Sequence, residues 1–413
     1  MKVPPGNLPT FDSLFSVEDY VAVAVRRNPG LRGAYHRWVA DQRRTGYAGA
    51  VPDPMFMYGH MFMDFEPTSR PMEQRFGLQQ SIPWFGTLEA KKAVASAAAH
   101  ASFEQFDISL QRLLYDVKSA YIEYYYLGRN LQITRDNFDL MTFWESVARA
   151  KYRVGLKQHP DLIMAQVELG KLEDRVQTLE EAMLPAAARL RALLDLPDEI
   201  DLPVPAALPV MEAPLVADSV IDAIIRNNPD IRALRFMVEK EKAGERVARR
   251  SSYPDFLFGV EYIEVDEAVN IHTGQSSGDS WMVTAGISLP IWFGKNAAAR
   301  DEAAARHRAA EYNRHDLQNS LVATARQTLF DYSDALRKVR LYRDGLVPKA
   351  EQSLNSLYTA YQAGETDFLN LLDTQRQLLA FQLTLAREQA NLAARRAQLE
   401  MMAGTDLKVY EQD

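Results

Sequence analysis

Hydrophobic positions follow two different periods along this chain, and the change from one to the other happens twice at nearly the same motif. Pro54 to Phe65 reads Pro-Met-Phe-Met-Tyr-Gly-His-Met-Phe-Met-Asp-Phe. After a Pro-containing turn, Glu73 to Trp84 alternates clearly. Phe76, Leu78, Ile82 and Trp84 share one parity, and Glu73, Arg75, Gln79 and Ser81 share the other. Alternate side chains of a strand point to opposite faces, so the spacing predicts strands at about 54–65 and 73–83 with one apolar and one polar face. A barrel strand in a membrane has this pattern, and so does a half-buried strand of a soluble sandwich. The period changes at Ser81-Ile82-Pro83-Trp84-Phe85-Gly86. Proline closes a strand, glycine tolerates unusual backbone angles, and the aromatic pair suits a water–lipid boundary. From Gly86 to Val154 there is no proline. Leu110, Leu113, Leu114, Val117, Tyr121 and Tyr124 recur at helical spacing, which predicts one helix over 86–154, roughly 100 Å long. Gly155 to Pro160 reads as a turn and 161–194 as a returning helix. Upstream, Ser16 with Glu18 and Asp19 predicts a helix start. That helix stops before Asn28-Pro29, and a second covers about 30–49.

The same succession returns. Asn28-Pro29 recurs as Asn228-Pro229, Pro52-Asp53 as Pro254-Asp255, and the first corner as Pro290-Ile291-Trp292-Phe293-Gly294. Tyr152-Arg153-Val154-Gly155 recurs as Tyr361-Gln362-Ala363-Gly364, and Gln166 as Gln375. The matches keep their order while the offset drifts from 200 to 209 residues, which reads as a duplication with small insertions. The halves are 16–200 and 216–407, after an extended arm at 1–15 and before a tail at 408–413. Between them, 196–215 holds Pro197, Pro203, Pro205, Pro209 and Pro214, an extended and semi-rigid connector. The second half predicts helices at 217–227 and 230–250, strands at 255–265 and 280–290, a long helix over 295–362 and a last helix over 367–402.

Composition then removes several functions. The chain of 413 residues has a formal net charge of −8 and no basic block, which argues against nucleic acid as a partner. It has no Cys, so disulfides and thiolate chemistry are excluded. No apolar run reaches the ~18 residues of a spanning helix. No signal peptide is visible after Met1-Lys2, and the start reads as processed or trimmed. The histidines show no ligand spacing, and no phosphate loop, nucleophile elbow or metalloprotease motif appears. The expectation is a protein that is not an enzyme and uses no cofactor.

Four strands cannot close a barrel, and in a bilayer every backbone polar group needs a partner. Strands in a membrane would therefore be shared among several chains, and three copies would give twelve. The duplication, the Asn-Pro pairs, the two aromatic corners and the two Tyr-x-x-Gly turns make the chain resemble the TolC family of outer-membrane efflux ducts over about residues 14–407. Within it, the corners and Arg112 to Arg129 look most similar to the heavy-metal branch typified by CusC and CzcC. The absence of the N-terminal lipidated Cys carried by many of that branch is a departure. The resemblance implies an α+β membrane protein. It would be a homotrimer with a shared 12-stranded outer-membrane β-barrel, a long periplasmic α-helical barrel, and an equatorial belt that includes the connector. Its partners would be outer-membrane lipid, a periplasmic adaptor and an inner-membrane pump of RND type. Its function would be a passive exit duct, for heavy-metal ions in the nearest branch. A drug-efflux or type I secretion duct shares the architecture. A soluble coiled-coil scaffold would fit the helices but not the strands or corners.

The resemblance also places a periplasmic gate at Asp373 and Asn370, with Asp367 beside them and Asp161 at the matching place in the first half. The alternative is that the aspartates favour helix N-termini. Gly155 and Gly364 are turn glycines by sequence and adaptor-docking positions by resemblance. The corner residues are Pro83, Trp84, Phe85, Gly86, Pro290, Trp292, Phe293 and Gly294. Finally, Met55, Met57, Met61 and Met63 share one parity of the first strand. Aligning Pro52 with Pro254 matches Gly59 in the first half to Glu261 in the second, which should face water inside the barrel, so the methionines of that parity are expected to face a lumen. Thioethers there suit weak, transient Cu(I) or Ag(I) contacts, and flexible apolar filling is the alternative.

Overall fold

The computed structural model describes residues 16–60, 72–153, 159–208, 212–265 and 279–407. The element order runs twice through one succession. First come α1 (Val17–Arg27), α2 (Pro29–Arg44), β1 (Met55–His60), β2 (Met72–Ile82), α3 (Thr87–Arg153) and α4 (His159–Leu194). Then come α5 (Ala217–Asn227), α6 (Pro229–Arg250), β3 (Phe256–Val265), β4 (Ser280–Ile287), α7 (Phe293–Leu341), α8 (Val347–Ala363) and α9 (Phe368–Ala403). The first helix starts on a capping box: the Ser16 N–H and Oγ both donate to Asp19 Oδ2 at 3.0 Å.

One predicted helix is two. The stretch expected as a single helix over 295–362 is interrupted by a π-helical segment, Tyr342–Leu346. The Val347 N–H donates to Tyr342 O, five residues back. The cause is Pro348, which has no N–H to give and whose ring would press on the carbonyl of Asp344 one turn earlier. Widening the ladder by one residue relieves that conflict. Pro185 lies inside α4 without ending it.

The chain forms two compact units, and each takes segments from both sequence halves. The first holds residues 1–34, 106–229 and 318–413. Among the described residues it holds two matching cores, and beside them a further core in which Met141 and Trp144 of α3 join Tyr361 of α8 and Phe368 and Leu372 of α9. In one of the matching pair, Val17, Tyr20 and Ala24 of α1 pack with Val117 and Tyr121 of α3 and Leu190 and Leu194 of α4. In the other, Val220 and Ile224 of α5 pack with Tyr332 and Val339 of α7 and Leu399 and Met402 of α9. The Asn-Pro pairs lock each of these two. Asn28 Nδ2 donates to Leu193 O at 3.1 Å, and Asn228 Nδ2 donates to Met402 O at 2.9 Å. The described connector residues are held by tyrosines: the hydroxyls of Tyr124, Tyr121 and Tyr332 donate to the carbonyls of Leu202, Ala207 and Ala213 at 2.8, 3.2 and 2.8 Å. Gly128 lies so close beneath Val204 that a Cβ there would overlap it. The extended connector expected from its prolines is thus fixed by side chains of the helices it crosses.

The second unit holds residues 35–105 and 230–317. It contains a four-stranded antiparallel sheet in the order β1-β2-β3-β4, so β1 and β4 each keep one unpaired edge. The opening of α3 buries Ala90, Ala95, Ala97, Ala99 and Ala101. Small side chains at these positions let neighbouring helices approach closely. Among the described residues no helix is long and apolar enough to cross a membrane.

Candidate functional site

The sheet has two chemically different faces. Directly paired residues of an antiparallel sheet lie on one face. Phe56, Leu78, Val260 and Val283 fall on the same side, and Tyr58, Phe76, Tyr262 and Trp281 form a cross-strand row on it. Trp281 and Val283 are 72% and 79% exposed, and Phe56, Tyr58, Leu78 and Val260 are exposed with them, so the rows make a contiguous apolar patch, not single scattered residues. The opposite side carries Arg75, Gln79, Glu261 and Thr284, with Arg75 Nη2 on Glu261 Oε1 at 2.5 Å. Met55 and Met57 are on this polar side, in the rows Met55–Gln79–Gly259–Thr284 and Met57–Gly77–Glu261–Met282. Met61 and Met63 lie outside the described residues.

The two corners differ. At the first, Trp84 stacks on Tyr253 and Phe256 with ring centroids 5.4 and 5.5 Å away, and Phe85 also meets Phe256. The Trp84 N–H donates to Asp255 Oδ1 at 3.1 Å, while the Asp255 N–H donates to Ser288 Oγ at 2.7 Å. Asp255 thereby ties both corners together. Gly86 has φ +79°, the left-handed turn expected after Pro83-Trp84-Phe85. At the second corner Trp292 and Phe293, after Pro290, are 71% and 78% exposed. Gly294 makes no left-handed turn, contrary to the expectation that both corner glycines serve alike. Ile291 adds a residue between Pro290 and Trp292, so α7 has already begun at Phe293 and Gly294 is helical.

In the other unit, the turn between α8 and α9 closes at Gly364, φ +84°. The Glu365 N–H returns to Ala360 O at 2.9 Å, and Lys151 Nζ donates to Tyr361 O at 2.9 Å. Gly155 lies outside the described residues. Asp367 occupies the N-cap of α9, with extended backbone and no side-chain capping bond. Asn370 Nδ2 donates to Thr366 Oγ1 at 3.3 Å. Asp373 is exposed and meets Arg376 at 3.3 Å, while Arg376 also holds Glu168 of α4 at 2.6 Å. Burial pushes the Glu168 carboxyl up, but hydrogen bonding and charge from Arg376 outweigh it and leave the group below its ordinary range. Asp161 lies in the first turn of α4. The Tyr361 hydroxyl is pushed up to about 12, first by burial and then by the Asp161 charge. Arg376 and Glu168 were not singled out by sequence reading. Arg376 lies three residues after Asp373 on the same helix face, and that spacing is the signal that would have found it. No group of three His, Cys, Asp or Glu side chains among the described residues is placed to hold a metal ion.

Against known proteins, the model of the family described as outer membrane efflux protein matches residues 40–195 and 220–405. Nodulation protein T of Rhizobium leguminosarum bv. trifolii is 23% identical over 340 residues, 79% of this chain and 70% of that protein. The pyoverdine export outer membrane protein OpmQ of Pseudomonas putida is 22% identical, over 80% of this chain and 71% of its own. The solved structure of CusC aligns with a TM-score of 0.81 at 16% identity, covering 94% of this chain and 92% of that one. At such identity the likeness shows the fold alone, so these relatives do not single out the heavy-metal branch. The matched model spans both halves of the chain and most of its length, and the protein belongs to the outer membrane efflux protein family, the outer-membrane ducts, not enzymes, that work with adaptors and pumps in tripartite efflux systems.

Proposed function

We propose that three copies of this chain close one twelve-stranded barrel, β4 of each pairing with β1 of the next, and together form a periplasmic helical barrel. The observation that carries this is the sheet itself. It has one aromatic, exposed face and one polar face, and its two edges are unpaired. Open edges are untenable in lipid, and closure among copies satisfies them. The halves 16–200 and 216–407 then descend from one duplicated unit, which supplies two strands and two helical columns each.

In this reading the polar face lines the lumen and Met55 and Met57 face it. Cu(I) or Ag(I) would find weak thioether contacts there if the pump served is an RND-type heavy-metal exporter. A drug or pyoverdine duct is the second reading, favoured by the likeness to a pyoverdine export outer membrane protein. Asp373 and Asn370, with Asp367 and Asp161 nearby, form the periplasmic gate, and Gly155 and Gly364 present the turns to the adaptor. Three carboxylates in a narrow pore favour cations, and Arg376 beside Asp373 moderates that charge. Single-channel recording tests the gate. Asp373→Ala is expected to lower cation selectivity and remove block by trivalent cations, and a variant that keeps both would contradict the assignment.

A further inference from the structure

We propose that a cavity of about 550 Å³ beside the strand-to-helix corners binds the phosphate headgroup of an anionic phospholipid, with an acyl chain on its apolar floor. The proposal rests on reading the sheet as membrane-embedded.

The cavity lies wholly in the unit that holds the sheet, among α2, α3, α6 and α7. The first turns of α3 carry Lys91, and α2 and α6 end just before β1 and β3. All four helices therefore present their strand-proximal ends, which puts the cavity next to the depth of lipid headgroups. Its lining is of two kinds. The floor is mostly alanine, with Val94 and Val247. The polar part has four cations, Arg44, Lys91, Lys240 and Arg306, against two carboxylates. Both carboxylates are taken: Glu241 pairs with Lys240 at 3.0 Å and Glu302 with Arg306 at 2.6 Å. Arg44 and Lys91 pair with no acid among the described residues, so their charge is left for a ligand. A phosphate diester beside an apolar tail matches such a lining. A zwitterionic lipid brings its own cation and competes poorly. Free phosphate offers the same charge without a tail to cover the alanine floor.

The test uses the full chain in neutral detergent, stripped of lipid. Native mass spectrometry and thermal melting would be read with phosphatidylglycerol, phosphatidylcholine or inorganic phosphate. Phosphatidylglycerol is expected to bind roughly tenfold more tightly than phosphatidylcholine, with phosphate alone raising the melting temperature little. The double variant Arg44→Gln/Lys91→Gln alters two exposed side chains, so it should melt as wild type without lipid and lose the preference. Equal binding of the two lipids by wild type, or a preference kept by the variant, would overturn the proposal. Stabilisation by phosphate matching that by phosphatidylglycerol would overturn the lipid assignment in favour of a plain anion site. Flotation with vesicles reads barrel insertion separately. Failure to float refutes the membrane-embedded sheet, whereas flotation without lipid preference refutes only the headgroup site.

Discussion

Asn28 and Asn228 each do two things at one chain break. Their backbone ends a short helix, and their side-chain amide reaches a carbonyl at the far end of the half, Leu193 for one and Met402 for the other. The recurrence of Asn-Pro was visible in the sequence, but its purpose was not, because the partner carbonyls are 165 and 174 residues away. Asn228 is buried, so Asn228→Ala leaves the Met402 carbonyl without its partner, and the expected loss is about 1–3 kcal/mol in a melting experiment. A loss under about 0.5 kcal/mol would show that the contact contributes nothing. Glu168 makes a pH-dependent contribution. Its folded-state carboxyl is held below its ordinary value of 4.5, so its stabilisation is complete above that value and disappears as the pH falls through the lowered one. Glu168→Gln should therefore narrow the stability difference between neutral and acid pH, read by denaturant unfolding at pH 7 and pH 3. An unchanged difference would mean that Arg376 does not hold the charge.

Strands, corners and the order of helices could be read from periodicity because each depends on a few neighbouring residues. The elements that escaped that reading depend on something else. The break in the second long helix comes from Pro348, a single residue inside a strongly helical run, whose effect is felt four residues earlier. The unequal corners follow from one extra residue, Ile291, which lets the helix start before Gly294. The fixed connector depends on tyrosines of α3 and α7 that look like ordinary core residues in sequence. The exposed face of β4 and the second corner should contact lipid. Single-Trp variants retaining Trp281 or Trp292 are expected to be quenched strongly by brominated acyl chains, while one retaining Trp144, buried in the other unit, is not. Equal quenching of all three would contradict the lipid-facing assignment.

At the scale of the whole molecule, one chain carries four strands and leaves two edges open. This incompleteness could be argued from sequence, because the strand count is small and the backbone of a membrane strand must be paired on both sides. The surroundings of the proposed gate were less accessible. Asp373 was singled out by family position, yet what surrounds it is set by Arg376 and by Glu168 on a different helix. The proposed duct depends on closure by three copies. Native mass spectrometry of the detergent-solubilised protein measures it directly. Closure by three copies predicts one dominant species with three times the 46.7 kDa chain mass that survives dilution, and a stable monomer or dimer would contradict it.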